Sequence, residues 1–200
     1  MARLLIATEN KGKLREIEAL LEDLDIVLLT PVDIGLEFRV IEDGQTYAEN
    51  AARKALAFAR ASDLPAMGDD SGLEVDALDG QPGLYSNRFT PWPNASDADR
   101  RMYLLQKLKG KPLPWTARFR ATVAIATPDG QVRYATGECP GQIISEERGS
   151  NGFGYDPVFL LPEVGQTMAE LSIEEKNRLS HRARAIQNAR PILIAVLGLR

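Results

Sequence analysis

Leu4 to Ala7 form an uninterrupted apolar run, which reads as a short buried strand. The polar stretch Thr8-Glu9-Asn10-Lys11-Gly12 reads as a turn. From Lys13 the apolar positions Leu14, Ile17, Leu20, Leu21 and Leu24 recur at helical spacing, and Ile26 to Leu29 follow as a second strand. Strand, polar loop, helix and strand together open an α/β fold.

The same reading continues along the chain. Thr46 to Arg60 is an alanine-rich helix, with Thr46 and Glu49 spaced as a capping box. Pro65 to Met67 reads as a brief strand entering an acidic turn, and Gly80 to Arg88 as a loop marked by glycine and proline. Ser96 to Leu108 is a third helix. Thr116 to Ala126 and Val132 to Thr136 are strands around the hairpin signal Pro128-Asp129-Gly130. Glu146 to Gly154 is a glycine-rich loop before a strand at Val158 to Leu161. Ser172 and Glu175 form a further capping box, and a last helix runs to about Leu197, with Pro191 predicted to kink it. The expected fold class is α/β, a mixed sheet flanked by helices in a single 1–200 domain of two lobes. The stretch from Asp76 to Pro114 is the candidate second lobe.

Composition narrows the function classes. The chain has 200 residues, 44% of them apolar and 26% charged, with a formal net charge of -4. This is the balance of a globular protein, and its acidity gives no reason to expect nucleic-acid binding. No apolar run approaches the roughly 18 residues of a membrane span, and Met1 to Ala7 reads as a strand rather than a signal peptide. Cys139 is the one cysteine, so no internal disulfide is expected and a reducing cytoplasm is permitted.

Several clusters carry candidate chemistry. Thr8, Glu9, Asn10, Lys11, Gly12 and Lys13 lie at a strand-to-helix junction, where a helix start and lysines suit phosphate. No Walker pattern is present. In Gly68-Asp69-Asp70-Ser71-Gly72, adjacent carboxylates offer hard oxygens of the kind Mg²⁺ takes. If the backbone is extended there, Asp69 and Asp70 point oppositely and only one faces a metal. Glu42, in Val40-Ile41-Glu42-Asp43-Gly44, is a candidate second carboxylate. Phe153, ringed by glycines, offers a stacking face in Gly152-Phe153-Gly154-Tyr155-Asp156-Pro157. Lys176, His181 and Arg182 form a basic helical cluster. Lys176 and His181 are about 140° apart on an ideal helix, so reaching one ligand requires a helix break near Leu179-Ser180. Each cluster also has a plainer reading: an exposed helix start, a solvated turn, an acidic loop, a core-anchored aromatic, a solvated helix face.

Taken in order, these segments resemble the inosine triphosphate pyrophosphatase family, also called dITP/XTP pyrophosphatases or HAM1-like proteins. The likeness lies in Thr8-x-Asn10-x-x-Lys13, Thr46-Tyr47-x-Glu49-Asn50-Ala51, Asp69-Asp70-Ser71-Gly72-Leu73 and Gly80-x-Pro82-Gly83-x-Tyr85-Ser86. It extends through Gly152 to Pro157 and through Ala169-Glu170-Leu171-x-x-x-Glu175-Lys176-Asn177-x-x-Ser180-His181-Arg182. The resemblance implies hydrolysis of deaminated purine nucleoside triphosphates (ITP, dITP, XTP) to monophosphate and pyrophosphate, which cleanses the nucleotide pool. It implies Mg²⁺, a cleft between two lobes and a cytoplasmic homodimer. By the same likeness, Asp70 is the catalytic, metal-binding acid and Glu42 a second metal ligand. Thr8, Asn10 and Lys13 belong to the phosphate loop, and Ser71 is a substrate contact. Phe153, Gly154, Tyr155, Asp156, Lys176, His181 and Arg182 are nucleotide-binding. Glu9 departs from the family's small or neutral residue, so its side chain is expected to point away from phosphate.

Overall fold

The structure, a computed structural model, describes residues 1–199. In chain order it runs β1 (Ala2–Ile6), α1 (Lys11–Leu21), β2 (Ile26–Leu29), α2 (Tyr47–Ser62), β3 (Ala66–Val75) and α3 (Asp97–Leu108). There follow β4 (Trp115–Ala126), β5 (Val132–Ile143), β6 (Phe159–Leu161), β7 (Gln166–Thr167), α4 (Ile173–Leu179) and α5 (His181–Leu197). Among the described residues the strands form one seven-stranded sheet in the order β2-β1-β3-β4-β5-β6-β7. It is mixed: β1 is parallel to β2 and β3, whereas β6 is antiparallel to β5 and β7. No helix among the described residues is long and apolar enough to cross a membrane.

The chain divides into two compact units. Among the described residues the first holds 1–71, 121–137 and 181–199, and the second holds 72–120 and 138–180. In the first unit, side-chain alternation along β1 builds a core on each face of the sheet. Leu4 and Ile6 pack with Ile17 and Leu21 of α1 and with Ile186, Ala189 and Leu193 of α5. Leu5 and Ala7 pack on the other face with Ala51, Ala55, Phe58 and Ala59 of α2. In the second unit Leu73 and Val75 join Leu104, Leu108, Phe119, Val158 and Phe159 around Tyr155.

Two close approaches set positions in the first unit. At Gly68 an added Cβ would lie 2.3 Å from the carbonyl oxygen of Ala51 and 3.0 Å from the nitrogen of Ala55, so α2 rests directly on β3. At Gly137 it would lie 2.1 Å from the carbonyl oxygen of His181, which seats the start of α5 on β5. Several sequence expectations are corrected by this packing. Asp69 to Gly72 is the middle of β3, not a turn. β5 runs past Thr136 to Ile143, with Gly137 placed where the helix lies on the strand. α1 begins at Lys11 and ends at Leu21, short of Leu24. The last helix, by contrast, ends where the sequence places it: α5 runs to Leu197 with Pro191 inside it. The expected break is present: α4 ends at Leu179, Ser180 is extended (φ -71°, ψ 158°), and α5 starts at His181.

Candidate active site

The junction of β1 and α1 is organised by Asn10. Its side-chain oxygen accepts the N–H groups of Gly12 (2.8 Å) and Lys13 (3.0 Å), and the Thr8 hydroxyl accepts the N–H of Asn10 (3.2 Å). The cap therefore occupies two of the helix-start amides that would otherwise face a phosphate. Glu9 and Lys11 are exposed, while Lys13 is buried. The Lys13 ammonium lies 2.6 Å from Asp69 Oδ2 and 3.4 Å from the Asp69 carbonyl.

Consecutive residues of an extended strand face opposite ways, and Asp69 and Asp70 accordingly meet different elements. Asp69 is 3% exposed. Its Oδ2 meets Lys13 of α1 and Arg182 Nη2 of α5 (3.4 Å), and its buried Oδ1 has no hydrogen-bond partner among the described residues. Ser71, two residues on and so on the same side, accepts from Arg182 Nη2 at 3.0 Å. Arg182 Nη1 pairs with Glu16 of α1.

Asp70, 8% exposed, meets α2. Its Oδ2 accepts from Asn50 Nδ2 at 3.0 Å. The Asn50 amide is oriented because its Oδ1 accepts the Gly44 N–H at 2.8 Å, which turns the NH₂ toward the carboxylate. One helical turn further, Lys54 Nζ donates to the Asp69 carbonyl (2.6 Å) and to Glu42 (3.0 Å), and lies 3.9 Å from Asp70 Oδ1.

These surroundings push the two acids apart. Burial drives the Asp69 carboxyl up, but the Arg182 and Lys13 charges overcome it and hold the group far below the ordinary carboxylate range. For Asp70 burial prevails and raises the carboxyl above its ordinary value. Lys54, Lys13 and the Asn50 hydrogen bond oppose it, and the Glu42 charge adds to it. Burial also lowers the Lys13 ammonium, against the pull of Asp69. Asp69 is thus a fixed anion, and Asp70 is the carboxylate readier to take a proton.

The second unit gathers Phe153, Gly154, Tyr155, Asp156 and Lys176. Lys176 Nζ lies 2.5 Å from Asp156 Oδ2 and 5.0 Å from the centre of the Phe153 ring, and Asp156 Oδ2 also accepts the Phe153 N–H at 2.9 Å. Two of the nucleotide-binding candidates are enclosed by the protein. Tyr155 is a core residue whose hydroxyl donates to the Ser86 carbonyl at 2.8 Å; burial pushes its phenol up, out of any acid–base role at neutral pH. Arg182 is 1% exposed, with Nη1 and Nη2 committed to Glu16, Asp69 and Ser71. His181 is likewise buried, at the first residue of α5.

Among the described residues no group of three or more His, Cys, Asp or Glu side chains is arranged to hold a metal by itself. Mg²⁺ needs no such cage, because one or two carboxylates with water and substrate phosphates suffice. Asp70 and Glu42 fit that pattern: both are hard oxygen donors, and the Lys54 ammonium lies 3.9 Å from one and 3.0 Å from the other.

Lys54, Asn50 and Glu16 were missed as site residues from the sequence. The signals were present but weak. Asn50 and Lys54 are four apart and so share a helix face, as do Lys13 and Glu16 three apart. Nothing local, however, says what those faces meet.

Comparison with known proteins places this geometry. Residues 4–192 match the model of the Ham1 family. The chain is 50% identical over 187 residues to a dITP/XTP pyrophosphatase of Geobacter sulfurreducens, covering 93% of this chain and 94% of that protein. It is 46% identical over 192 residues to one of Desulforamulus reducens, covering 96% and 95%. Among solved structures, a HAM1 protein from Coxiella burnetii superposes with TM-score 0.88 at 36% identity, covering 98% of this chain and 100% of that one. The Staphylococcus aureus Ham1 protein does so with TM-score 0.85 at 36% identity, covering 96% and 98%. Strand order, acidic pair and lysines therefore sit in a fold already known, and the chain belongs to the Ham1 family.

Proposed function

We propose that this protein hydrolyses deaminated purine nucleoside triphosphates (dITP, ITP and XTP) to the monophosphate and pyrophosphate, with Mg²⁺. The observation that carries the reading is the divided environment of the acidic pair on β3. Asp69 is locked as an anion by Lys13 and Arg182, whereas Asp70 is raised toward proton acceptance beside Lys54 and Glu42. The names of the relatives, dITP/XTP pyrophosphatase, supply the substrate class.

In this reading Asp70 takes the proton of the attacking water at Oδ1, since Oδ2 is held by Asn50. Lys13 and Lys54 face the negative charge that moves onto the departing pyrophosphate. Mg²⁺, held by Asp70 and Glu42, would supply further charge neutralisation there. Thr8 and Asn10 shape the phosphate loop. Phe153 stacks the base, and Lys176 and Asp156 hold it in place. Arg182 holds Asp69 and Ser71, and His181 is the donor facing the 6-oxo group. Adenine carries a donor at that position, so a donor in the protein rejects it. The cytoplasm as its location and a homodimer as its assembly belong to the same proposal.

Pyrophosphate release from ITP, XTP, dITP, ATP and GTP, by wild-type protein and Asp70→Asn, tests it. Turnover of ITP well above ATP, reduced about 10²–10⁴-fold in the variant, is expected. Equal rates on ATP and ITP would refute the selectivity, and an unimpaired variant would refute the base.

A further inference from the structure

We propose that Asp97 and Arg101 of α3 are positioning residues that set the Phe153 ring for base stacking; the inference rests on Phe153 being the base platform. The two side chains are four residues apart and so lie on one face of the helix. Asp97 Oδ2 accepts the N–H of Gly154 at 2.7 Å. Arg101 Nη1 donates to the carbonyl of Gly154 at 2.9 Å. On the other side of the loop Asp156 accepts the N–H of Phe153 at 2.9 Å. Three successive peptide groups around Phe153 are therefore held by side chains.

Each clamp is itself oriented. Arg100 pairs with Asp97 Oδ1, leaving Oδ2 for Gly154. Glu147 takes Arg101 Nε and Nη2, both at 2.9 Å, leaving Nη1 for Gly154. Gly154 sits at φ +62°, and nothing lies within 4 Å of where its Cβ would be. Neither steric contact nor a side chain of its own holds that residue, so its backbone has the wide freedom of glycine. The peptide clamps then decide where the neighbouring ring points. Preorganising it removes an ordering cost from every binding event.

The test compares Arg101→Ala, Asp97→Ala, Asp97→Asn, Glu147→Ala and Phe153→Ala, measuring kcat and KM for ITP with Mg²⁺. It also measures inhibition by inorganic tripolyphosphate, which carries charge but no base. Arg101→Ala and Asp97→Ala are expected to raise KM about tenfold, a size typical of one base stack, with kcat nearly unchanged and tripolyphosphate inhibition as in wild type. Asp97→Asn keeps an acceptor oxygen and is expected to restore most of the affinity. Arg101→Ala added to Phe153→Ala should cost nothing further. Glu147 is exposed, and its removal frees the Arg101 fork, so about a threefold rise is expected there.

Weakened tripolyphosphate inhibition in step with KM would overturn the proposal, as would additivity with Phe153→Ala. If the alanine variants do not fold, an unchanged KM in Glu147→Ala overturns it as well. A wild-type KM in Phe153→Ala alone would instead remove the platform reading beneath it.

Discussion

Replacing Gly68 by alanine inserts a methyl group where β3 carries α2. The new Cβ would lie 2.3 Å from the Ala51 carbonyl oxygen and 3.0 Å from the Ala55 nitrogen. An ordinary carbon–oxygen contact is about 3.3 Å or more, so the helix must withdraw by about 1 Å. Both obstructing atoms are backbone, and no side-chain rotation relieves them. Overpacking of this kind costs about 1–3 kcal/mol, which for a chain of this size lowers Tm by roughly 2–12 °C. The effect on catalysis should be larger. Asn50 Nδ2 lies 3.0 Å from Asp70 Oδ2, and Lys54 Nζ lies 2.6 Å from the Asp69 carbonyl; both ride on the displaced turns. A shift of about 1 Å takes the first contact out of hydrogen-bonding range. Misplacement on that scale costs on the order of 10²-fold in rate. Calorimetry gives the Tm, and pyrophosphate release at saturating ITP, well below that Tm, gives kcat. A lowered Tm with kcat within about threefold of wild type would refute the claim that α2 positions the acid. An unchanged Tm and kcat would refute the close approach itself.

Other outcomes follow from the same geometry. Lys54→Met keeps the aliphatic stem but removes the cation shared by Glu42, Asp70 and the Asp69 carbonyl, and should cost about 10²-fold or more in kcat; full activity would remove Lys54 from the chemistry. Dialysis against EDTA should abolish turnover and added Mg²⁺ restore it, since two carboxylates hold the ion weakly without substrate; activity persisting in EDTA would refute the metal assignment. The hydrogen bond from Arg190 holds the Asp23 carboxyl below its ordinary value, with burial opposing. A folded value below the unfolded one means that the pair stabilises above about pH 4, and that this is lost as pH falls through the folded value. Asp23→Asn should therefore be less stable than wild type at pH 7, by at most about 1 kcal/mol for so exposed a pair, with the gap closing toward pH 3. A gap of the same size in denaturant melts at both pH values would contradict this.

Much of the fold was legible because its signals are local. β2 is found at Ile26–Leu29, where the apolar run placed it, and the Ser172–Glu175 capping box forms as spaced. The helix break at Ser180 was legible too, from the angle between Lys176 and His181. The acidic segment was misread as a turn because Gly, Asp and Ser are turn formers in isolation. Its strand pairing depends on partners far along the chain, and Gly68 is there for the helix that rests on it.

The sequence by itself determined the α/β class, the order of the elements, the family resemblance and the presence of an acidic pair. Only the tertiary structure decided what each acid faces. Lys13 and Arg182, 169 residues apart in numbering, converge on Asp69, while Asn50 and Lys54 converge on Asp70. It also decided that Arg182 is a buried ion-pair partner of Glu16 and Asp69, and that Tyr155 is core. The physical reason is that burial and charge act through space. Both neighbouring carboxyls are stripped of water, and they shift in opposite directions because distant segments bring Asp69 enough cationic charge to overcome burial and bring Asp70 too little.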